Sequence, residues 1–246
     1  MKVELGSRRE SAAPAVSADP DWRPGGRRLA ARNQVLMLQH RDEAPSARLL
    51  DVLVERGMEP VVRSVSRGDE LPDPGSVRAA ILVGSDRVGD AAVAGYLDAE
   101  LEWLGRADDA GAAVLGIGHG ARALALAFGG LVEPADRPLR GWVMVDTSIP
   151  HRIATGPWLT WQHDVIVLPP DAQLLAYNRL GPQAFRVGRH LGVQFHPEAT
   201  PQTVAEWVKK SDVPLDAQVL LDATARDTEA AASCTRRLLS TFIDSI

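Results

Sequence analysis

Short apolar runs alternate with longer amphipathic stretches through the first half of the sequence. Runs of four to six residues predict buried strands, and they stand at 35–38, 60–65, 79–83 and 112–115. The stretches at 44–56 and 91–110 carry apolar residues at helical spacing, and Gly57 follows the first. Because strands alternate with helices, the pattern predicts an α/β fold with a doubly wound, mainly parallel sheet and helices on both faces.

The pattern changes after Gly130. Short segments separated by turns replace the regular alternation, and they predict strands at 141–145, 164–168, 173–178, 184–187 and 191–195. Two further stretches, 201–210 and 225–243, predict helices. In the second, the apolar residues recur on one side of the helix.

The segment from 112 to 130 predicts a strand, a sharp turn and a helix. The turn contains Gly116, Gly118 and Gly120, and the helix predicted at 121–128 is followed by Gly129 and Gly130. This order is typical of a nucleophile elbow, in which one side chain is held in a strained turn above the carboxyl ends of the strands. Gly118 occupies the apex here, so the elbow carries no side chain at the position where a nucleophile would stand.

Composition and charge narrow the possible partners. The chain has 246 residues, is 45% hydrophobic and carries a formal charge of −5. We expect one domain over 33–246, preceded by a disordered N-terminal tail over 1–32 that is rich in Pro, Gly, Ser, Ala and Arg. The mild negative charge argues against nucleic acid as a partner, and no apolar run reaches the roughly 18 residues of a membrane span. Cys234 is the single cysteine, which fits a reducing, cytoplasmic location.

The elbow, together with LGVQFHPE at 191–198, resembles the class I glutamine amidotransferases of the stand-alone type. The resemblance covers about residues 34–207 and implies a flavodoxin-like α/β domain. Members of that family hydrolyse glutamine with a Cys-His-Glu triad and pass ammonia to a synthetase. On this resemblance His196 and Glu198 take the places of the triad histidine and glutamate, and both residue types are present.

The same resemblance shows where the sequence departs from the family pattern. Gly118 stands at the cysteine position, and Arg122 stands where the pattern has a glutamine that helps to hold the substrate. Gln162 stands where a histidine often follows the tryptophan of a later motif. The oxyanion segment, commonly Gly-Gly-Pro, is Gly84, Ser85 and Asp86. The resemblance therefore implies the fold, whereas the missing thiolate removes the group that would attack the glutamine carboxamide.

The remaining side chains leave several roles open. His196 and Glu198 form either an acid–base pair or a structural turn after the last central strand. Arg122 either holds a carboxylate or phosphate, or fills a vacated pocket through a salt bridge to Asp86 or Glu198. We interpret His119 as a structural or rim residue. Gly84, Ser85, Gly118, His119, Arg122 and Gln162 are the candidate substrate-binding residues.

No cofactor or metal is expected from the sequence. The glycines of the elbow do not form a dinucleotide fingerprint, and His196 with Glu198 is too sparse for a metal motif. Two hypotheses remain. The protein is either a binding protein or acid–base enzyme for an anionic small molecule, or a non-catalytic scaffold for a synthetase-type partner. Whether it is an enzyme, and its oligomeric state, are left open.

Overall fold

A computed structural model describes residues 33–40, 47–84, 91–211 and 216–246 of the chain. Within these ranges the strands are β1 Gln34–Gln39, β2 Glu59–Ser64, β3 Ala79–Val83, β4 Ala113–Ile117, β5 Leu131–Val143, β6 Asp146–Thr147, β7 Trp158–Val167, β8 Gln173–Asn178, β9 Gly181–Val187 and β10 His190–Val193. The α-helices are α1 Ala47–Glu55, α2 Ala91–Asp109, α3 His119–Ala127, α4 Pro201–Lys210 and α5 Ala217–Ile243. The predicted tail at 1–32 lies outside the described residues.

The main sheet has eight strands in the order β2-β1-β3-β4-β10-β9-β8-β6. The first five strands in this order pair in parallel. The last three, β9, β8 and β6, join antiparallel at one side of the sheet. This arrangement confirms the predicted α/β fold with a mainly parallel sheet. It also brings the carboxyl ends of β1, β3, β4 and β10 to one edge, which is where ligands bind in open α/β sheets.

Alternate residues of the central strands face two separate cores. In β3, Ala79, Ile81 and Val83 pack on one face with α1 and α5, through side chains such as Leu49 and Leu238. Ala80 and Leu82 of the same strand pack on the other face, together with Trp103 of α2 and Leu124 of α3. Because both faces of the strand are covered, every residue of β3 is buried, as its continuous apolar sequence predicts.

A separate two-stranded ribbon, formed by β5 and β7, is the main departure from the predicted elements. The sequence predicts only 141–145 and 164–168 as strands here, whereas the strands run over thirteen and ten residues. Proline interrupts β5 twice, and the register shifts between Pro134 and Leu139. No residue of β5 is fully buried and the register shift interrupts its period of two, so neither a continuous apolar run nor a regular alternation identifies it in the sequence.

Two helices begin earlier than predicted. Helix α5 starts at Ala217 rather than at 225, because the side chain of Asp216 accepts a hydrogen bond from the Val219 N–H and caps it. Helix α3 starts at His119 rather than at 121, directly after the apex of the elbow. Among the described residues, no helix has the length and apolar character needed to cross a membrane.

Candidate functional site at the elbow

The elbow joins β4 to α3 through a backbone conformation that favours glycine. Gly118 has φ of 56° and ψ of −104°, and its N–H donates a 2.9 Å hydrogen bond to the Val193 carbonyl of β10. Two residues further on, a Cβ at Gly120 would lie 2.5 Å from the Leu82 carbonyl oxygen of β3. The turn therefore keeps its sharp shape because the neighbouring strands hold it, even though the apex carries no side chain.

His196 and Glu198 form a buried hydrogen-bonded pair next to the apex. Nδ1 of His196 lies 2.6 Å from Oε1 of Glu198, and the two side chains are 9% and 4% exposed. The backbone also holds this segment, since the His196 N–H donates to the Leu159 carbonyl at 2.8 Å. With the carboxylate accepting at Nδ1, a neutral imidazole presents Nε2 as its basic nitrogen.

The imidazole of His196 stands directly over the apex. A Cβ built on Gly118 would lie 2.9 Å from Cε1 of His196 and 3.5 Å from Nε2. A side chain at this position would therefore touch the ring, as a nucleophile touches its general base. Gly118, His196 and Glu198 are thus brought together as the sequence predicts, and Gly84 follows β3 at the same edge of the sheet. Ser85 and Asp86 lie outside the described residues.

Arg122 lies one helical turn beyond the apex and is buried. Its Nε lies 3.7 Å from Oδ2 of Asp164 on β7, with the two side chains 5% and 13% exposed. The separation is that of an ion pair rather than of a direct hydrogen bond. The observed ion pair thus joins Arg122 to Asp164, a residue that the sequence did not single out as its partner.

The side-chain amide of Gln162 is engaged within the protein. Its Nε2 donates to the Asp164 carbonyl at 2.8 Å, and its Oε1 accepts from Nε2 of Gln183 at 3.3 Å and from Oγ1 of Thr160 at 3.4 Å. The residue is 1% exposed. A ligand that contacted this amide would have to displace internal hydrogen bonds, so a substrate-binding role for Gln162 stays a prediction.

His119 is buried rather than placed at a rim. Its side chain leaves the elbow toward α2, where Nε2 lies 2.7 Å from Oε2 of Glu100. Nε2 of His40 lies 2.7 Å from Oε1, the other oxygen of the same carboxylate. Burial alone would raise the pKa of Glu100, but the attraction of the nearby His119 and His40 side chains lowers it to about 2. Burial lowers the pKa of His119 despite its bond to Glu100.

The partners of His119 are not among the residues predicted from the sequence. His40 follows β1 directly and His119 follows β4, so the parallel sheet brings both to one edge. The parallel topology predicted from the sequence therefore indicates that the two histidines lie close together. No comparable signal marks Glu100, which lies inside α2.

The single thiol of the chain belongs to Cys234, which has the surroundings of a structural residue. It lies in α5, and its S–H lies 3.4 Å from the Gly156 carbonyl oxygen. Burial raises the pKa of the thiol, which lowers the thiolate fraction at neutral pH. This environment is that of an inert core thiol.

Comparison with known families agrees with this geometry. The model of the glutamine amidotransferase class-I family matches residues 48–211, which is more than half of the chain. The chain belongs to this family. The matched region contains the elbow, Arg122, His196 and Glu198.

The curated relatives are larger proteins. The GMP synthase [glutamine-hydrolyzing] of Thermomicrobium roseum is 36% identical over 97 residues, covering 37% of this chain and 18% of that protein. The corresponding enzyme of Edwardsiella ictaluri is 30% identical over 108 residues, covering 37% of this chain and 21% of that protein. The chain therefore matches about a fifth of the length of these relatives.

Solved structures show the same fold at low identity. A glutamine amidotransferase from Thermotoga maritima superposes with a TM-score of 0.75 at 21% identity, covering 87% of this chain and 99% of that one. A glutamine amidotransferase from Methylobacillus flagellatus gives 0.78 at 19% identity, with coverages of 87% and 95%. A putative GMP synthase component from Thermoplasma acidophilum gives 0.55 at 22% identity, with coverages of 86% and 93%.

Proposed function

We propose that this class I glutamine amidotransferase-like protein does not hydrolyse glutamine, and that its elbow binds an anionic small molecule. The observation that carries the proposal is the elbow itself. The sharp turn and the His196–Glu198 pair are both present, but Gly118 at the apex has no side chain that could act as a nucleophile. Acyl transfer from glutamine requires a thiolate at this point, and the remaining thiol of Cys234 is buried in α5.

Three positive features face the elbow. Helix α3 begins at His119, so its first-turn N–H groups point toward the apex and favour a negative charge. Arg122 adds a fixed positive charge one turn further along, and Nε2 of His196 lies 3.5 Å from a Cβ built on Gly118. These groups would together favour a carboxylate or phosphate bound at the elbow.

The Arg122–Asp164 pair limits which anions bind well. Asp164 partly compensates the guanidinium, so a simple anion competes with a carboxylate that is already 3.7 Å away. A ligand that also offers a cationic or donor group to Asp164 satisfies both partners at once. Amino acids and other zwitterions are therefore preferred over inorganic anions. If the bound molecule reacts, His196 is the residue placed to exchange a proton, with Glu198 orienting its ring.

Isothermal titration of the full chain with amino acids, dicarboxylates and inorganic phosphate tests the proposal. A charge-assisted contact is worth about 1.5–3 kcal/mol, so Arg122→Gln should weaken the best ligand roughly ten- to a hundredfold. Arg106→Gln is the matched control, because that arginine pairs with Asp73 at the exposed surface. Equal affinity in the wild type and Arg122→Gln, or no binding of any of these compounds, would contradict the anion site.

A scaffold for a synthetase is the second candidate. Two observations favour it. Gln162 is engaged in a buried hydrogen-bond network, and Arg122 is paired with Asp164, so both side chains already contact protein groups rather than a ligand. Two relatives are named GMP synthase [glutamine-hydrolyzing], and the match covers only 18% and 21% of their lengths. Sedimentation of this chain mixed with the synthetase part of a GMP synthase tests the second candidate. A stable complex without ligand binding at the elbow favours the scaffold.

A further inference from the structure

Three buried side chains meet behind the elbow, on the α2 side of the sheet. His40 comes from the end of β1, Glu100 from the middle of α2, and His119 from the first turn of α3. The side chains of all three are at most 1% exposed, and one ligand atom from each lies within 4.8 Å of the others. The imidazole rings of the two histidines are 4.7 Å apart, at an angle of 58°. The three residues are called the His–Glu–His cluster below.

The hydrogen-bond pattern puts no proton between Nε2 of His40 and Oε1 of Glu100 when the imidazole is neutral. Nδ1 of His40 lies 3.2 Å from the Val83 carbonyl oxygen, which can only accept, so Nδ1 carries the proton. In a neutral imidazole Nε2 then has a lone pair, and it faces Oε1 of Glu100 at 2.7 Å. Within the described part of the chain neither of these two atoms has a correctly aligned hydrogen-bond partner. Two buried lone pairs at this distance repel each other unless a cation lies between or beside them.

The donor set is that of a transition-metal site. Two imidazole nitrogens and one carboxylate match the protein ligands of His₂Glu zinc centres, whose bonds are about 2.0–2.2 Å long. The contact of His40 with the Val83 carbonyl is the outer hydrogen bond that typically orients a metal-bound histidine. With three protein ligands, such a centre keeps at least one further coordination position. Tyr96, one turn before Glu100 on α2, packs its ring against both histidines.

We propose that His40, Glu100 and His119 bind one divalent transition-metal ion, with Zn²⁺ the best match to two imidazoles and a carboxylate. The ion takes the place of the missing positive charge between His40 and Glu100. It joins β1, α2 and the first residue of α3, and so fixes the start of the helix that follows Gly118. The proposal departs from the sequence-based expectation of no metal. That expectation rests on His196 and Glu198, which are not part of this cluster.

The test uses the full chain without an affinity tag. The protein is stripped with EDTA, reconstituted with ZnCl₂ or CoCl₂, desalted, and its metal content and melting temperature are measured. We expect one equivalent of zinc per chain and a d–d absorption spectrum for the cobalt form. At zinc about a hundredfold above its Kd, mass action should raise Tm by roughly 5–10 °C in a chain of this size.

Two variants identify the ligands. His119→Leu removes one ligand but keeps a buried side chain of similar bulk, and it should lose both the bound zinc and the zinc-dependent rise in Tm. His190→Gln is the matched control, since His190 is also buried and pairs with a single carboxylate, Asp108, at 3.2 Å. This control should bind zinc like the wild type.

The opposite results overturn the proposal. If a proton rather than a metal lies between His40 and Glu100, zinc will leave the Tm of the wild type unchanged and no stoichiometric metal will be retained. Equal zinc binding by the wild type and His119→Leu would place the ion elsewhere. If His119→Leu does not fold, the metal content and cobalt spectrum of the wild type decide the question alone.

Discussion

The two walls of the elbow differ in how they relate to the amidotransferase pattern. The wall that follows β10 carries the histidine and glutamate of that pattern, with His196 and Glu198 hydrogen-bonded at 2.6 Å. The wall formed by the start of α3 departs from it at Gly118 and Arg122. The comparison teaches that backbone contacts hold the shape of this site whatever side chain stands at the apex, whereas the proposed loss of amidotransferase chemistry depends on that one position.

Each wall has structural reasons for its present state. On the β10 side, the His196 N–H bonds to the Leu159 carbonyl, and Oγ1 of Thr235 donates to the Pro197 carbonyl at 2.8 Å. These contacts hold the segment whether or not His196 takes part in chemistry. On the α3 side, glycine at the apex avoids strain of about 1–3 kcal/mol, and Arg122 forms an ion pair that a neutral glutamine could not form.

The largest expected effect comes from breaking the ion pair of the α3 wall. Arg122→Ala leaves the Asp164 carboxylate without its observed cationic partner in a mostly buried position, and should lower the free energy of unfolding by about 3 kcal/mol. Urea denaturation of Arg122→Ala, Asp164→Ala and the double variant measures the coupling. We expect the double variant to lose less than the sum of the two single variants.

Arg106→Ala is the control for that cycle. The Arg106–Asp73 pair has a shorter separation, 3.3 Å, but both of its side chains are more than half exposed. Its removal should change stability by less than about 1 kcal/mol. Equal losses from Arg122→Ala and Arg106→Ala would show that the buried pair has no special structural role.

Adding a methyl group at the apex tests the link between the two walls. Gly118→Ala places a Cβ 2.9 Å from the His196 ring at φ of 56°, and should lower the free energy of unfolding by about 2–3 kcal/mol. Gly68→Ala is matched in having a positive φ, 83°, but has no atom within 4 Å of the added Cβ. It should lose only about 1 kcal/mol. If the two variants lose the same amount, His196 does not constrain the apex.

Restoring the thiol should have only a small effect on activity. Gly118→Cys places sulfur beside His196, but Arg122 remains at the position of the pattern's glutamine, and the amide of Gln162 stays in its buried network. We expect little or no glutamate release from glutamine by this variant. Efficient hydrolysis by the single variant would show that the α3 wall still accepts glutamine, and that Gly118 is its only relevant change.

The sequence predicts the elements around the elbow better than the contacts between their side chains. β3 and β4 are recognised within one or two residues because both faces of a central parallel strand are apolar, and the glycines mark the turn that follows. Arg122 is recognised as unusual, but its partner is not, because Asp164 lies on a ribbon strand whose pattern is irregular. Glu100 is not recognised at all, since one acidic residue on a helix ordinarily faces solvent, and only the folded chain shows it between two histidines.

Glutamine hydrolysis by the purified wild type and by Cys234→Ser tests the central claim most directly. Both proteins are incubated with glutamine, and the release of glutamate is followed over time. The account predicts no turnover above the buffer control, because the apex has no nucleophile and the only thiol of the chain is buried in α5. Turnover of around 1 per second or more that survives Cys234→Ser would contradict it, since another group at the elbow would then be doing the chemistry.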